Sequence, residues 1–180
     1  MKKQVIILIL IFCLTEVLAL ALVFRSLFFP LKYTDLIIKY SQENSLSSEL
    51  VASVINAESS FKADAKSSAG AIGLMQILPS TASYISSLEN LNYNNADDLF
   101  NPEKNINIGC KYLKYLIDKF ENINTALASY NAGETTVINW LKNPEYSSDN
   151  ITLNKIPYKE TEQYVKKINK NIKIYKKIIK

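Results

Sequence analysis

A run of twenty apolar residues near the N-terminus most restricts how this chain can fold. It covers residues 5–24, contains a single charged residue, Glu16, and follows a start that carries two lysines. Twenty apolar residues form a helix long enough to cross the roughly 30 Å hydrocarbon core of a bilayer. We therefore predict a transmembrane helix over residues 1–25, a juxtamembrane linker over 26–34 and a separate folded domain over 35–180.

The charges beside this run predict its orientation. Lysines before a membrane helix favour a cytoplasmic N-terminus, which places the domain after Arg25 outside the cytoplasm. A cleaved signal peptide is the alternative, but its apolar core usually has about 7–15 residues and ends at a small-x-small site. The small-x-small match in this sequence, "ALA" at 19–21, lies inside the apolar run rather than at its end. We predict an uncleaved, single-pass anchor, with secretion after cleavage as the alternative.

The rest of the chain has the periodicity of α-helices and no alternating strand pattern of useful length. Two short helices meet at Gly133, residues 143–157 form a loop, and a last helix starts at Thr161. The fold class is therefore predicted to be all-α. The residues predicted to begin the earlier helices as caps or first positions are Thr34, Ser47, Pro79 and Asn101 with Pro102. The predicted buried positions of the two longest helices are Ile106, Tyr112, Leu113, Leu116, Ile117 and Phe120, and Tyr164, Val165, Ile168, Ile172 and Tyr175.

The composition excludes several classes of chemistry. The chain contains no histidine, which excludes Ser-His-Asp and Cys-His catalysis and the ordinary histidine-containing zinc sites. It has neither a GxxxxGK[ST] phosphate loop nor a GxGxxG turn. Cys13 lies in the apolar run, and Cys110 lies in a helical pattern where we predict a packing role. We expect no cofactor and no metal, so any chemistry depends on carboxylates, hydroxyls, amides and the backbone.

One carboxylate lies in line with a buried helical stripe. Glu58 follows Val54 by four residues and Ile55 by three, so it projects from the same side of the helix. It also lies near the C-terminal end of that helix, where the dipole disfavours negative charge. Burial and dipole both raise a carboxyl pKa, and apolar enclosure raises that of a glutamate to roughly 6. Glu58 is a candidate general acid, and the alternative is a glutamate at the edge of the stripe that points to solvent.

Small, amide and aromatic residues around this helix suit a sugar ligand. The two glycines of "SSAGAIGLMQ" mark a sharp turn or a close approach of the backbone, and Gln76 adds an amide. Farther along, Tyr130 and Asn131 end a helix beside Gly133. Amides, hydroxyls and an aromatic face together match a sugar, which needs hydrogen bonds and a flat apolar surface. The structural alternatives are Gln76 at the surface, Tyr130 in the core and Gly133 as a helix cap.

Four segments resemble, in order and spacing, the motifs of the SLT-type lytic transglycosylases. They read "AESSFKADAKSSAGAIGLMQILPSTA", "NPEKNINIGCKYLKYL", "ASYNAGETTVINWL" and "IPYKETEQYV". The resemblance extends from about residue 35 to about residue 175. It implies a lysozyme-like α-helical catalytic domain of a bacterial enzyme that cleaves the glycan strand of peptidoglycan.

The resemblance also implies roles for individual residues. Glu58 matches the single catalytic acid/base of the family. The positions that match the lining of the cleft around the cleaved sugar are Ser67, Gln76, Tyr130 and Asn131, with Glu160 on the rim. Two departures fall on Leu78, where the family often has methionine, and on Ser129, where it often has alanine. We interpret both as small changes of the cleft lining that affect subsite preference.

The mechanism implied by the resemblance needs one carboxylate and no water. A protonated Glu58 donates to the glycosidic oxygen between MurNAc and GlcNAc, and the N-acetyl group of MurNAc stabilises the developing cation. The carboxylate then takes a proton from the C6 hydroxyl, which closes on C1 to leave a 1,6-anhydro end. Such substrate-assisted chemistry is a known exception to the use of two carboxylates.

Two alternatives stay open at the level of sequence. A hydrolase of the same fold, as in goose-type lysozyme, needs a second carboxylate to activate water, for which Asp64, Asp97 and Glu160 are the candidates. A non-catalytic wall-binding protein is less consistent with Glu58 and the "GLMQ" motif.

The C-terminal part of the chain is strongly basic. Residues 155–180 carry nine lysines against Glu160 and Glu162. The first interpretation is a solvated helix face, because the apolar residues keep a helical period. The second is a surface for anionic wall polymers. The predicted partners are therefore peptidoglycan glycan strands, the membrane and anionic wall polymers, with no nucleic acid.

Overall fold

The computed structural model describes residues 2–179 and divides the chain into two units, one running to Lys32 and the other beginning at Tyr33. The first unit is the helix α1, Lys2–Phe28, whose described side chains from Lys3 onward are all exposed. Its segment Lys3–Phe28 has a mean hydropathy of 3.0 and is long and apolar enough to cross a membrane. The helix continues three residues past the predicted boundary at residue 25 and ends two residues before Pro30.

The second unit is built from helices, and the described part of the chain contains no β-strand, only isolated bridges. The all-α prediction is confirmed. The helices are α2 Thr34–Glu43, α3 Ser48–Glu58, α4 Pro79–Leu88, α5 Pro102–Phe120, α6 Ile123–Ala132, α7 Glu134–Leu141 and α8 Lys159–Tyr175, with a 3₁₀ helix at Ala96–Phe100.

Most helix starts follow the predicted capping chemistry. The Ser47 hydroxyl accepts a hydrogen bond from the Leu50 amide at 3.2 Å, and the Asn101 side chain accepts one from the Lys104 amide at 3.1 Å. Pro79 begins α4 as predicted. The prediction for α2 is wrong, because Thr34 is its first helical residue and the cap position is Tyr33, in a left-handed conformation with no side-chain cap bond.

Helices α3 and α8 pack most extensively against each other, and α6 packs against both α5 and α8. The stripe Leu50, Val51, Val54 and Ile55 of α3 is at most 4 % exposed, as its spacing predicted. Cys110 is fully buried in α5, and burial raises the pKa of its thiol. The packing role predicted for this cysteine is confirmed.

The core contains small differences from the predicted pattern. Tyr112, Ile117 and Ile172 are half-buried rather than buried. Helix α8 begins at Lys159, two residues before the predicted start. The interpretation of Ser129 as cleft lining is wrong, because this residue is fully buried within α6 and its hydroxyl has no hydrogen-bond partner in the described structure. Leu78, in contrast, is 40 % exposed just before α4.

Candidate active site

Glu58 is the last residue of α3, at the point where this helix meets α8. The buried stripe of α3 fixes the helix in the core, and the four-residue spacing from Val54 then turns the Glu58 side chain toward α8. Glu58 is partly buried as a whole residue. The carboxylate therefore lies at the edge of the core, with one side against protein and the other able to reach a ligand.

The surroundings of Glu58 favour its protonated form. Burial raises the pKa of this carboxyl from 4.5 to about 7, although a hydrogen bond from Tyr164 and the positive charge of Lys167 both act in the opposite direction. The Tyr164 hydroxyl, on α8, donates to Glu58 Oε1 at 2.5 Å. The Lys167 ammonium donates to the Ala57 carbonyl at 3.3 Å, one residue before the glutamate. A carboxyl with this pKa exists in both protonation states near neutral pH, as a general acid that later acts as a base must.

The segment between α3 and α4 folds into a compact loop rather than a flexible turn. The Ser59 hydroxyl donates to the Leu74 carbonyl at 2.8 Å, and the Gly73 amide donates to the Ala65 carbonyl at 2.8 Å. Gly73 has a φ of +79°, and a Cβ at this position would lie 2.2 Å from the Leu99 carbonyl oxygen. Gly73 is thus a position at which the backbone of the loop approaches its neighbours closely, as the sequence predicted.

Both backbone polar groups of Met75, a residue of this loop, are held by polar side chains from the helices. Asn105 Oδ1, on α5, accepts from the Met75 amide at 2.8 Å, and the Tyr130 hydroxyl, on α6, donates to the Met75 carbonyl at 2.8 Å. The Asn105 side-chain amide also donates to the carbonyls of Ile72 and Leu99 at 2.9 and 2.8 Å. One fully buried asparagine thus ties the loop to α5 through two hydrogen bonds and binds the 3₁₀ helix through a third.

Gln76 and Ser67 belong to this loop, and both also serve its internal structure. Gln76 has a φ of +48°, and its side-chain nitrogen donates to the carbonyls of Ala65 and Gly73 at 3.2 and 2.9 Å. Its amide oxygen is the group that remains for a ligand. The Ser67 hydroxyl accepts from the Ala71 amide at 3.0 Å and retains its proton for donation.

Tyr130 lies beside Glu58, and Asn131, also near the end of α6, contacts the first turn of α8. Burial raises the pKa of Tyr130 well above its usual value, and the negative charge of Glu58 adds to this rise. The Asn131 side-chain oxygen accepts from the Thr161 hydroxyl at 2.8 Å. Glu160 precedes this threonine and is exposed in the first turn of α8. No hydrogen bond of the described structure joins Glu160 or Ser67 to Glu58.

Three residues that shape this site were not assigned to it from the sequence. Asn105 had no predicted role, Thr161 was predicted only as the first residue of the last helix, and Tyr164 was predicted as a core position of α8. The tyrosine carried a usable signal, since a buried tyrosine hydroxyl normally finds a hydrogen-bond partner. The other two depend on contacts between segments distant in sequence, which periodicity does not reveal.

In the part of the chain that the structure describes, no hydrogen bond joins a second carboxylate to Glu58. Asp64, Asp97 and Glu160, the candidates for activating a water, are exposed. Among residues 2–179, no group of three or more histidine, cysteine or acidic side chains could hold a metal ion. The arrangement that the structure displays is one partly buried carboxyl group with a tyrosine donor, next to a loop fixed by hydrogen bonds.

The fold is that of known lytic transglycosylases. The X-ray structure of an inactive mutant of the lytic transglycosylase Slt from Pseudomonas aeruginosa matches 86 % of this chain and 25 % of its own, with a TM-score of 0.77 and 29 % sequence identity. The soluble lytic murein transglycosylase of Salmonella typhimurium is 38 % identical over 143 residues, which are 78 % of this chain and 22 % of the relative. The membrane-bound lytic murein transglycosylase C of Histophilus somni is 31 % identical over 82 % of this chain and 47 % of its own length.

Residues 35–153 match the Transglycosylase SLT domain, and the chain belongs to this family. The match covers well over half of the sequence. The chain spans about a fifth of the length of the soluble relative and about half that of the membrane-bound one.

Proposed function

We propose that this chain is a peptidoglycan lytic transglycosylase that cleaves the bond between MurNAc and GlcNAc and leaves 1,6-anhydro-MurNAc ends. The observation that carries the proposal is the state of Glu58, a partly buried carboxyl with a pKa of about 7 in a chain of the SLT family. The relatives named lytic murein transglycosylase support the same substrate class.

Glu58 performs both proton transfers in this reaction. In its protonated form it donates to the glycosidic oxygen as the C1–O bond breaks, and the N-acetyl group of MurNAc stabilises the positive charge at C1. The carboxylate that results keeps its hydrogen bond from Tyr164. It then takes the proton of the C6 hydroxyl as that oxygen bonds to C1, which restores the protonated glutamate and consumes no water.

The remaining predicted residues would bind the glycan around Glu58. Gln76 offers its amide oxygen, Ser67 a hydroxyl proton, and Asn131 an amide on the side of α8. Tyr130 supports the loop through Met75 and contributes an aromatic side chain next to Glu58. Glu160 is exposed at the rim and is proposed as an outer contact.

The products distinguish this reaction from hydrolysis. Purified sacculi are digested with the full-length chain in detergent, and the masses of the released muropeptides are measured. Anhydro ends, each one water lighter than a reducing end, support the transglycosylase. Products that consist only of reducing ends would show a hydrolase, and no release of muropeptides would favour a binding protein.

The Tyr164 hydrogen bond predicts a shift in the pH profile. Tyr164→Phe removes a donor that stabilises the charged form of Glu58, so the pKa of this carboxyl should rise further above its usual range. We expect the alkaline limb of the profile of kcat/KM for glycan cleavage to move upward by roughly one pH unit.

Two lysines on α8 provide a second test variant and its matched control. Lys167→Gln removes a charge that lowers the pKa of Glu58, and it should move the limb in the same direction by a smaller amount because this side chain is exposed. Lys166→Gln removes a neighbour that pairs with Glu162 and should leave the limb in place. An unchanged profile in Tyr164→Phe would contradict this role for the tyrosine.

We further propose that α1 anchors the domain in the bacterial cell membrane, with residues after it outside the cytoplasm. The exposed apolar surface of α1 and its hydropathy support this, as does the name of the membrane-bound relative. Exposed lysines on α8 give a surface suited to anionic wall polymers. The chain should sediment with membranes after a salt wash, and externally added protease should degrade the domain in spheroplasts. Release of the chain by the salt wash would reject the anchor. Full protection of the domain from the protease would reject the proposed orientation.

A further inference from the structure

The side of α8 that faces away from the core carries a straight row of lysines. Lys166, Lys170, Lys173 and Lys177 recur every three or four residues, a spacing that places them on one side of a helix. All four are exposed, and Lys177 lies in the turn that continues α8 past Tyr175. Because a helix rises about 1.5 Å per residue, these four residues, the lysine row, extend over about 16 Å.

The opposite side of α8 packs on the rest of the domain. Tyr164, Ile168 and Tyr175 are buried there, and the first of them donates its hydrogen bond to Glu58. From residue 163 to residue 177, every exposed residue other than Gln163 is a lysine. A partner can therefore cover the lysine row without covering the side of α8 that contacts Glu58.

Most of the charge of the lysine row is not compensated within the protein. Lys166 pairs with Glu162 at 2.6 Å, whereas the other three lysines of the row form no ion pair with any residue that the structure describes. Helix α6, which packs against α8, contains no acidic residue. Lysines in the last turn of a helix stabilise its dipole, but the row extends over about three turns. The excess positive charge is suited to an anionic partner outside the chain.

The proposed anchor keeps a lipid bilayer within reach of this surface. Helix α1 ends at Phe28 and α2 begins at Thr34, so only residues 29–33 connect the membrane segment to the domain. A fully extended chain of that length spans at most about 18 Å. A tether this short gives the bilayer surface a high effective concentration, so contacts too weak to hold a free domain can hold this one. Anionic wall polymers suit the same lysines but have no such tether.

We propose that the lysine row docks the domain on the surface of a bilayer that carries anionic phospholipids. The inference rests on the proposed anchor and goes beyond the proposed reaction. The ammonium groups contact lipid phosphates, and the domain stays outside the hydrocarbon core because no exposed apolar side chain lies along the row. Each lysine near such a surface favours the docked state about fivefold. Docking leaves Glu58 on the side of α8 away from the bilayer.

Amine labelling of the full-length chain in lipid nanodiscs tests the docking. The discs contain phosphatidylcholine alone or with about 30 % phosphatidylglycerol, and mass spectrometry gives the rate at which a water-soluble reagent acetylates each lysine. We expect Lys166 and Lys176, which lies beside the row, to react about fivefold or more slowly in the anionic discs. Salt at about 0.5 M should remove this difference. Lys142, exposed at the end of α7, should react equally in both.

A triple variant and a charge-matched control identify the lysines responsible. Lys170→Gln, Lys173→Gln and Lys177→Gln together should lower the docking equilibrium roughly a hundredfold. Labelling of the remaining reporter lysines should then be nearly equal in the two kinds of disc. The control removes the same charge at three exposed lysines outside α8, with the changes Lys62→Gln, Lys142→Gln and Lys155→Gln, and should dock as the unmodified chain does.

The possible results separate lipid docking from its alternatives. Equal labelling in neutral and anionic discs, or the same slowing in the triple variant, would overturn the proposal. Soluble poly(glycerol phosphate) is also added to the chain in neutral discs. Slowing by this polymer, with none in anionic discs, would assign the row to a wall polymer and overturn lipid docking. No readout here depends on cleavage, so the muropeptide masses test the proposed reaction separately, and the salt-wash sedimentation tests the anchor.

Discussion

Replacing Glu58 by glutamine should lower the release of muropeptides from sacculi by about a thousandfold or more. General acid–base catalysis by one positioned group contributes typically about 10²–10⁴-fold, and in the proposed mechanism Glu58 supplies both proton transfers. Glutamine has the same size and can still accept the Tyr164 hydrogen bond, so the packing of α3 against α8 should remain. The measurement is the initial rate of release with the masses of the products.

The same substitution should make the domain more stable at alkaline pH. The pKa of Glu58 is raised in the folded chain to about 7 from 4.5, so the charged form is less favourable in the folded than in the unfolded state. The native chain therefore has its full stability below about pH 4.5 and loses part of it as the pH rises through about 7. Glutamine carries no charge and avoids this loss.

Chemical denaturation at several pH values measures this effect. The stability gain of Glu58→Gln should be near zero at pH 4 and reach on the order of 3 kcal/mol at pH 8. A variant that is inactive and also less stable at pH 8 would indicate damage to the fold, and the loss of activity would then not identify the acid. Full activity in Glu58→Gln would reject Glu58 as the acid/base.

Gly73→Ala should destabilise the domain by about 3 kcal/mol or more. A side chain at a φ of +79° costs about 1–2 kcal/mol by itself, and the new Cβ would also lie 2.2 Å from both the Leu99 carbonyl oxygen and the Asn105 side-chain nitrogen. The backbone contact cannot be relieved by rotating a side chain, so the loop must move away from α5. Cleavage activity should fall as well, because Met75 and Gln76 belong to that loop.

Gly70→Ala is the matched control. Gly70 has a φ of +85° in the same loop, but no atom lies within 4 Å of the position that a Cβ would take. Only the backbone strain applies, and the loss should be about 1 kcal/mol. Thermal unfolding should show a decrease in Tm of roughly 10 °C for Gly73→Ala and roughly 3 °C for Gly70→Ala. Similar decreases would mean that the contact with α5 is not what fixes residue 73.

The sequence predicted the helices well because their determinants are local. Apolar spacing identified the stripe of α3, and the cap residues Ser47 and Asn101 set the starts of two helices. The start of α2 was mispredicted because Tyr33 takes a left-handed conformation, which displaces Thr34 from the cap position. Such conformations depend on the surrounding chain more than on the residue itself.

The site was predictable in part. The partial burial of Glu58 and its raised pKa follow from its place on the stripe of α3. The roles of Asn105 and Tyr164 could not be derived in this way. Asn105 acts on a loop thirty residues earlier in the chain, and Tyr164 reaches across 106 residues to Glu58. Ser129 shows the opposite error, since a residue next to Tyr130 in sequence points into the core rather than the cleft.

The packing of α8 against α3 makes the protonation of Glu58 depend on whether this one helix is folded. Tyr164 and Lys167 lie on the last helix, and the packing of this helix against α3 also helps to bury Glu58. Local opening of α8 would expose the Glu58 carboxyl to water and remove its contacts with Tyr164 and Lys167. The pKa of this carboxyl would then fall back toward 4.5, and the proton that the proposed reaction needs would be lost at neutral pH. Unfolding of this one helix would thus stop the proposed reaction before the rest of the domain unfolds.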